Sequence, residues 1–330
     1  MNNSKSKMKI ILLVIALLIV MAVVTVLLYQ KNKKNEVASV PNKTTSDNKE
    51  DSVDYTTISY DGKKYHYNTD LKLVLFLGID QREPVSVNGY EGTGGRSDTI
   101  ILLIMNKKEQ TVKMLEISRD AMTDVDIYDQ DGAYFATDKM QITMQYAFGD
   151  GEKKSCWLSK KAVSNLLYEI PIQSYISMNL DGIAEITNAL GGVPLTVPKD
   201  YSALNEQFIQ GKMITLDGEM AERYVRYRDI EVTGSNNERM ERQQQFIMAL
   251  VARLKENLKE NTYTELFKKI EPYVVTDLDA QSMKALGDYE LDPEVANVPG
   301  EVVEGQLHDE YVVDNVLLKE LLIKLLYIQE

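Results

Sequence analysis

The sequence predicts an α/β fold, an α-β-α sandwich around a central mixed sheet, preceded by one transmembrane helix. Three observations predict it. Apolar runs of strand length recur through the body and interleave with stretches of helical periodicity. Two of those runs are separated only by a short polar turn, which adds an antiparallel pair to the sheet. Near the amino terminus, Ile10–Leu28 is nineteen residues without a charge.

As a helix, Ile10–Leu28 covers about 29 Å, close to the roughly 30 Å hydrocarbon core of a bilayer. The residues after it are Tyr29 and a Lys/Asn stretch rather than a small-residue cleavage site. An uncleaved anchor is therefore expected at 10–28. Residues 29–52 are Lys, Asn, Ser, Thr and Asp with almost no large apolar side chain, as in a solvated, disordered linker. One domain is expected over 53–330.

Within that domain, Leu71–Ile79 is nearly continuous in apolar residues, as in a strand buried on both faces. A loop with Gly89, Gly92, Gly94 and Gly95 follows. Thr99–Met105 and Thr111–Ser118, joined by the polar turn Asn106–Gln110, read as a hairpin. Ser159 is a candidate cap for a helix through about Glu169, and Ser174–Asn179 reads as a strand. Asp181 is a candidate cap for a helix that stops at Gly191-Gly192. Asp217 caps another through about Tyr224, and Ser235 with Glu238 has capping-box spacing. The helix it opens carries Ile247, Leu250, Val251, Leu254 and Leu258 as one apolar stripe. The last seventy or so residues read as helix and short strand packed on the same body, ending in an apolar helix at Val316–Leu326.

Composition excludes several chemistries. The net charge is −13. The first 34 residues hold six Lys and no acid, so the rest carries −19, the total less that +6. Such a body repels nucleic acid, whose binding runs on neutralised phosphates. A single cysteine, Cys156, allows no intrachain disulfide, and beside Trp157 it reads as a small buried hydrophobe. With only His66 and His308, four-ligand Cys/His zinc sites are ruled out, and neither His sits in a triad-like motif.

The arginines are informative. There are nine, none lies between 120 and 222, and seven fall in three segments: Arg96, Arg119, and the group Arg223, Arg226, Arg228, Arg239 and Arg242. Arg is favoured over Lys where planar, bidentate recognition of phosphate is needed. An isolated Arg in an acidic protein reads as a surface ion pair; this clustering points to an anion site. Arg239 and Arg242 lie three apart in the first turns of a helix, with Gln243 four from Arg239. Arg226 and Arg228 share a side only in extended chain, so a helix ending near Tyr224–Val225 is expected if both serve one site. Asp80, Asp98 and Asp120 fall at strand ends beside these arginines. Plain ion pairs are one reading of them; Mg²⁺ binding or general-base work is the other.

These stretches together resemble the LytR-CpsA-Psr family. The matching segments are LVLFLGID (73–80), GRSDTIILL (95–103), EISRDA (116–121), KMQITMQYAFGDG (139–151), ALGGVPLTVP (189–198), YVRYRD (224–229) and RMERQQQ (239–245). They span about 71–255 in the family's order. The resemblance implies a cytoplasmic tail at 1–9 and an extracytoplasmic body at the cell membrane. It implies a phosphotransferase that moves a glycopolymer, such as a teichoic acid or capsule, from a polyprenyl pyrophosphate carrier to the 6-hydroxyl of peptidoglycan N-acetylmuramic acid. Carried over residue by residue, Arg96, Arg119, Arg226, Arg228, Arg239 and Arg242 grip the pyrophosphate. Asp80 and Asp98 hold Mg²⁺ or Mn²⁺, and Asp120 supports Arg119 or acts as base. Gln243, Lys139 and Tyr146 contact substrate, and apolar residues between sheet and helices line a groove for the prenyl tail. The chain departs from the family pattern at Ser118 (Pro), Ala121 (Thr) and Asn236-Asn237-Glu238 (Asp-Phe-Gly), so the family's acid is missing at 236; Asp229 and Glu238 are candidate replacements. A non-catalytic lipid-pyrophosphate regulator and a polyprenyl pyrophosphatase are the competing functions.

Overall fold

A computed structural model describes residues 55–82, 85, 94–129, 131–229, 232–257, 266, 268–278, 289–305 and 308–330. The expected anchor at 10–28, the linker at 29–52, and Gly89 and Gly92 of the loop lie outside the described residues. Among the described residues, no helix is long and apolar enough to cross a membrane.

The chain forms β1 (Thr57–Tyr60), β2 (Lys63–Tyr67), β3 (Leu71–Ile79), β4 (Ser97–Asn106), β5 (Thr111–Ile117), β6 (Met122–Tyr128) and β7 (Tyr134–Gln141). Two helices, α1 (Met144–Ala147) and α2 (Lys153–Leu166), lead to β8 (Ser174–Asn179) and α3 (Leu180–Ala189). Then come β9 (Val193–Thr196), β10 (Met213–Leu216), α4 (Gly218–Arg226) and the long α5 (Ser235–Asn257). The remainder is β11 (Val274–Thr276), β12 (Glu290–Asn297), β13 (Gly300–Glu304), β14 (Asp309–Val313), α6 (Asn315–Leu326) and β15 (Tyr327–Gln329).

The central sheet has six strands in the order β11-β8-β3-β4-β5-β12 and is mixed. β3 runs antiparallel to β4 and parallel to β8, β4 runs antiparallel to β5, and β12 is parallel to β5. The predicted hairpin is β4–β5: the Asn106 side chain accepts from the amides of Lys108 and Glu109, and Gln110 takes a φ of 55°.

Strand alternation divides the apolar runs between two faces. Leu73, Leu75, Leu77, Ile100, Leu102 and Ile104 pack with Cys156, Ala162 and Val163 of α2 and Leu318, Leu322 and Leu326 of α6. Val74, Phe76, Leu103 and Met105 face the other way, toward Ile183 and Ile186 of α3 and Leu250 and Leu254 of α5. Helices therefore cover both faces, and burial of both is why β3 and β4 read as unbroken apolar runs. Cys156 is 0% exposed, with its thiol pushed up to about 12 by burial, and is a core residue.

Several helix starts differ from expectation. α2 begins at Lys153, six residues before Ser159, because the Asp150 carboxylate accepts from the amides of Glu152, Lys154 and Ser155. Ser159 is mid-helix and its hydroxyl donates back to the Ser155 carbonyl. Asn179, not Asp181, caps α3 by accepting from the Gly182 amide. Asp217 caps α4 as predicted, accepting from Met220 at 2.8 Å. The capping box at α5 does not form: the Ser235 hydroxyl accepts from Arg228, and Glu238 pairs with Lys199. Gly191 and Gly192, at φ 69° and 94°, end α3 as expected, with the Gly192 amide closing on Thr187.

Leu75 lies on the central strand with 0% exposure. Leu75→Ala is expected to lower stability by about 2–5 kcal/mol, read from the midpoint of urea unfolding.

Candidate functional site: a buried arginine–carboxylate cluster at the mouth of an apolar cavity

The site forms where β4 begins and β5 ends. Asp98, the second residue of β4, faces two guanidiniums. Its Oδ1 accepts from Arg119, just past β5, and its Oδ2 accepts from Arg239 of α5 at 2.9 Å. Arg239 is 3% exposed, and its second nitrogen donates to the Asn236 side chain at 2.6 Å. Asn236 thus occupies hydrogen-bonding space beside Arg239 but brings no charge; its amide donates to the Ser118 hydroxyl at 3.1 Å. The two departures from the family pattern at 118 and 236 are therefore in contact.

Asp120 anchors the next layer. Its carboxylate accepts from Gln141 at 2.9 Å and lies 3.5 Å from both Arg119 Nε and Arg228 Nη1. Burial raises its affinity for a proton, against the pull of Arg228, Arg119 and Arg239. Arg228 also donates to Asp309 at 3.1 Å and to Ser235 at 3.2 Å. The Asp309 carboxylate accepts from the Gly234 amide as well, and its carbonyl accepts from Gln141.

Toward solvent, Asp80 pairs with Arg226 at 3.3 Å; they are 35% and 49% exposed. The Arg96 side chain is exposed, while its carbonyl accepts from the Asp80 amide at 2.9 Å. α4 runs to Arg226, one to two residues beyond the predicted end, and the chain turns extended at Tyr227 (φ −56°, ψ 134°). Arg226 and Arg228 therefore diverge, one outward to Asp80 and one inward to Asp120.

Arg242 does not join this cluster. It is 2% exposed and donates to the main-chain carbonyls of Tyr224 (2.9 Å) and Tyr227, with its guanidinium over the Tyr201 ring at 5.0 Å. It satisfies carbonyls that the end of α4 leaves open, and so fixes the turn that aims Arg226 and Arg228. It lies three positions after Arg239, but the two long side chains reach partners on different sides. Tyr146 is 1% exposed and donates to the Gly151 carbonyl, and burial raises its phenol. Lys139 is on the exposed hairpin β6–β7, 3.6 Å from Asp124. Neither contacts the cluster. Glu238 is turned toward Lys199, away from it, and Asp229 is exposed.

Behind the cluster lies an apolar cavity of about 150 Å³ between the sheet and helices α3, α4 and α5. Phe76, Ile101, Met114 and Met178 form its floor, and Phe246 and Leu250 its roof. Gly78, Thr99, Ile183, Val225 and Gln243 line both this cavity and a smaller one walled by Asp80, Asp98 and Arg226. Gly78 holds this neck open by lacking a side chain: a Cβ there would stand 2.9 Å from that of Thr99. Gln243 donates to the Val225 carbonyl at 3.1 Å, which leaves its buried Oε1 without a partner at the neck. Among the described residues, no three of His, Cys, Asp and Glu converge as a ready metal cage.

Sequence reasoning missed Asp309, Gln141, Glu116 and Gln244. Glu116 is 1% exposed, with Gln244 of α5 donating to its Oε2. Glu116, Gln141 and Gln244 lie inside the segments at 116–121, 139–151 and 239–245, where spacing alone does not show which side chains turn inward. Asp309 stood in an acidic tail with no local pattern, and only the folding of β14 against Ala121 brings it in.

Comparison with known proteins agrees with this architecture. Residues 26–322 match the LytR_cpsA_psr family. A polyisoprenyl-teichoic acid–peptidoglycan teichoic acid transferase TagU of Halalkalibacterium halodurans is 34% identical over 54% of this chain and 51% of its own length. The TagU of Enterococcus faecalis is 33% identical over 66% of this chain and 65% of its own. The chain thus spans about half to two thirds of the length of these relatives. The structure of TagT bound to LI-WTA superposes with a TM-score of 0.56 at 25% identity, over 78% of this chain and 90% of that one.

Burial pushes the Glu116 carboxyl from an ordinary 4.5 up to about 7, against the pull of Gln244 and Arg239. Unfolded, this group ionises near 4.5; folded, it resists ionisation until about 7. Its contribution to stability is therefore full below 4.5 and is lost as pH rises to 7. Glu116→Gln is expected to remove that loss, gaining up to about 3 kcal/mol over wild type by pH 8 and nothing at pH 4. Thermal melts across this range check it.

Proposed function

Since this chain belongs to the LytR-CpsA-Psr family, we propose that it transfers a glycopolymer from a polyprenyl pyrophosphate carrier to peptidoglycan, forming a phosphodiester. The observation that carries the proposal is the continuity of the two cavities. An apolar space between sheet and helices narrows at Gly78, Thr99, Val225 and Gln243 and opens among Asp80, Asp98 and Arg226. That order suits a ligand with a hydrocarbon tail and an anionic head. The names of the relatives, teichoic acid transferases acting between a polyisoprenyl carrier and peptidoglycan, support the same reading.

In this reading the prenyl chain occupies the apolar cavity and the pyrophosphate sits at the neck. Arg226 and the exposed Arg96 meet it first, because their charges are the least committed. Arg119 and Arg239 give up part of their hold on Asp98 to phosphate oxygens, while Arg228 stays with Asp120 and Asp309 and stiffens the wall. Gln243 turns its unpartnered Oε1 toward a sugar hydroxyl at the neck. An acceptor hydroxyl, the 6-hydroxyl of N-acetylmuramic acid, attacks the phosphorus that bears the glycan. The new P–O bond forms as the bond to the polyprenyl phosphate breaks, and the hydroxyl proton passes to a carboxylate of the cluster.

Asp80 and Asp98 wall one small cavity, which fits a magnesium or manganese ion that takes one or two carboxylates and fills its shell with phosphate oxygens and water. These two residues would hold it, and it would supply charge neutralisation at the pyrophosphate and polarisation of the scissile bond. Purified protein given a polyprenyl-pyrophosphate glycan and peptidoglycan oligomers is expected to yield glycan-linked product. Chelator and Asp98→Asn should each abolish turnover while lipid binding falls less. Full activity in chelator would refute the metal role. Tight lipid binding with no transfer under any condition would make the protein a sensor, and free phosphate without ligation would make it a pyrophosphatase.

The proposal places the catalytic body outside the cell, tethered by the segment at 10–28. A protease added to intact protoplasts is expected to remove the body; full protection would refute that location.

A further inference from the structure

The charges of the cluster balance without Glu116. Arg119, Arg228 and Arg239 are matched by Asp98, Asp120 and Asp309 through the ion pairs already described. Glu116 is a fourth carboxyl, almost wholly buried, and the mechanism above gives it no task.

Its position is specific. Glu116 continues the face of β5 that carries Val112 and Met114, both on the wall of the apolar cavity. It stands opposite Ile101 of β4, another lining residue, and beside Asn297 of β12. From α5, Gln244 donates to its Oε2 and bridges to the Asn297 side chain at 3.2 Å. The charged group that acts on it is Arg239, also from α5; the β12 and Gln244 neighbours are neutral. Among the buried atoms without a partner are Oε1 of Glu116, an acceptor, and Nε of Arg239, a donor. Arg239 spends its other nitrogens on Asp98 and on the uncharged Asn236.

We propose that Glu116 is a positioning residue that couples donor binding to the uptake of one proton, acting as a surplus counter-charge to Arg239 that is ionised while the anion site is empty and protonated once a pyrophosphate engages Arg239. The inference rests on the donor reading given above. An arriving pyrophosphate adds negative charge to a cluster that is already neutral without Glu116. A buried carboxylate next to that charge takes a proton from solvent, and by linkage the proton strengthens donor binding as much as the donor strengthens protonation. Burial has already brought this carboxyl to about 7, so the step lies in the range where a small change of field moves it. Donor affinity therefore tightens as pH falls through neutrality, and the polyprenyl phosphate product, with less charge at the site, leaves as Glu116 ionises again.

The test is calorimetric titration of the full chain in detergent with farnesyl pyrophosphate as probe. At pH 7.5 it is run in two buffers of different ionisation enthalpy, which counts protons taken up. The probe's own ionisation is common to all variants and cancels between them. Wild type is expected to take up roughly 0.7 proton more than Glu116→Gln, the fraction of a carboxyl at about 7 that is ionised at this pH. Its affinity relative to that variant should fall about tenfold between pH 6.5 and 8.5. Gln244→Ala removes the hydrogen bond that favours the ionised form, so its step should move to higher pH. Equal proton counts in wild type and Glu116→Gln, or an unmoved step in Gln244→Ala, would overturn the inference and leave the donor reading standing. Failure of wild type to bind the probe at any pH would overturn the donor reading itself, and this inference with it.

Discussion

The sharing of Asp98 between Arg119 and Arg239 is the interaction on which the site depends. It ties the start of β4, the end of β5 and the first turns of α5 into one unit. Two guanidiniums at 10% and 3% exposure are costly to hold unless a carboxylate meets both. The arrangement also keeps positive charge in reserve. Each arginine meets Asp98 and one further acceptor, Asp120 for Arg119 and the uncharged Asn236 for Arg239, and an anion with several oxygens can compete for these contacts. A lysine in either position would supply the charge without the fork that lets one side chain bind Asp98 and a second acceptor together.

The apolar cavity follows from the same geometry. β3 and β4 are apolar on both faces, so one set of side chains builds the core with α2 and α6 while the other faces α3 and α5. On that second face α4 must end, and α5 begin, close to the strand ends for Arg228 and Arg239 to reach Asp120 and Asp98. Arg242 enforces this by binding the carbonyls at the end of α4. The helices thus meet the sheet at the charged end and leave space behind it. The cavity and the arginine cluster are two consequences of one packing decision.

This explains what the sequence could and could not reveal. Strands buried on both faces announce themselves as apolar runs, so β3, β4, β5 and β8 were legible, as was the β4–β5 turn. The convergence of Arg119, Arg228 and Arg239 with Asp98 and Asp120 was legible in part, since Asp98, Arg119 and Asp120 lie at strand ends and Arg228 and Arg239 flank the junction of α4 and α5, whereas Arg242 and Arg226 take other partners. Spacing along a helix could not separate Arg239 from Arg242, because long side chains choose among partners that only the tertiary fold provides. Helix starts failed for a related reason. Asp150, nine positions before Ser159, accepts from the first amides of α2, and Asn179, two positions before Asp181, accepts from Gly182, so each helix starts earlier than its predicted cap. Tyr146 and Lys139 share a motif with Gln141, yet only Gln141 reaches the cluster: Lys139 faces solvent, and Tyr146 is buried in the core against the Gly151 carbonyl.

The carboxy-terminal segment shows how far the site extends beyond its recognisable motifs. β12 adds to the sheet edge alongside β5, and Asn297 there pairs with Glu116 in register. The chain then folds back through β13 and β14, so that the Tyr311 amide donates to the Asp120 carbonyl and Asp309 reaches Arg228. Asp309 holds the Gly234 amide as well, at the threshold of α5. One residue from the last quarter of the chain therefore fixes both an arginine of the cluster and the entry to the helix that carries another. Without it, Asp120 would be the one carboxylate left to Arg228 among the described residues, and burial of that carboxyl already favours the neutral form. The tail is part of the electrostatic frame, and the balance of three arginines against three aspartates, which leaves Glu116 in surplus, closes only when Asp309 is counted.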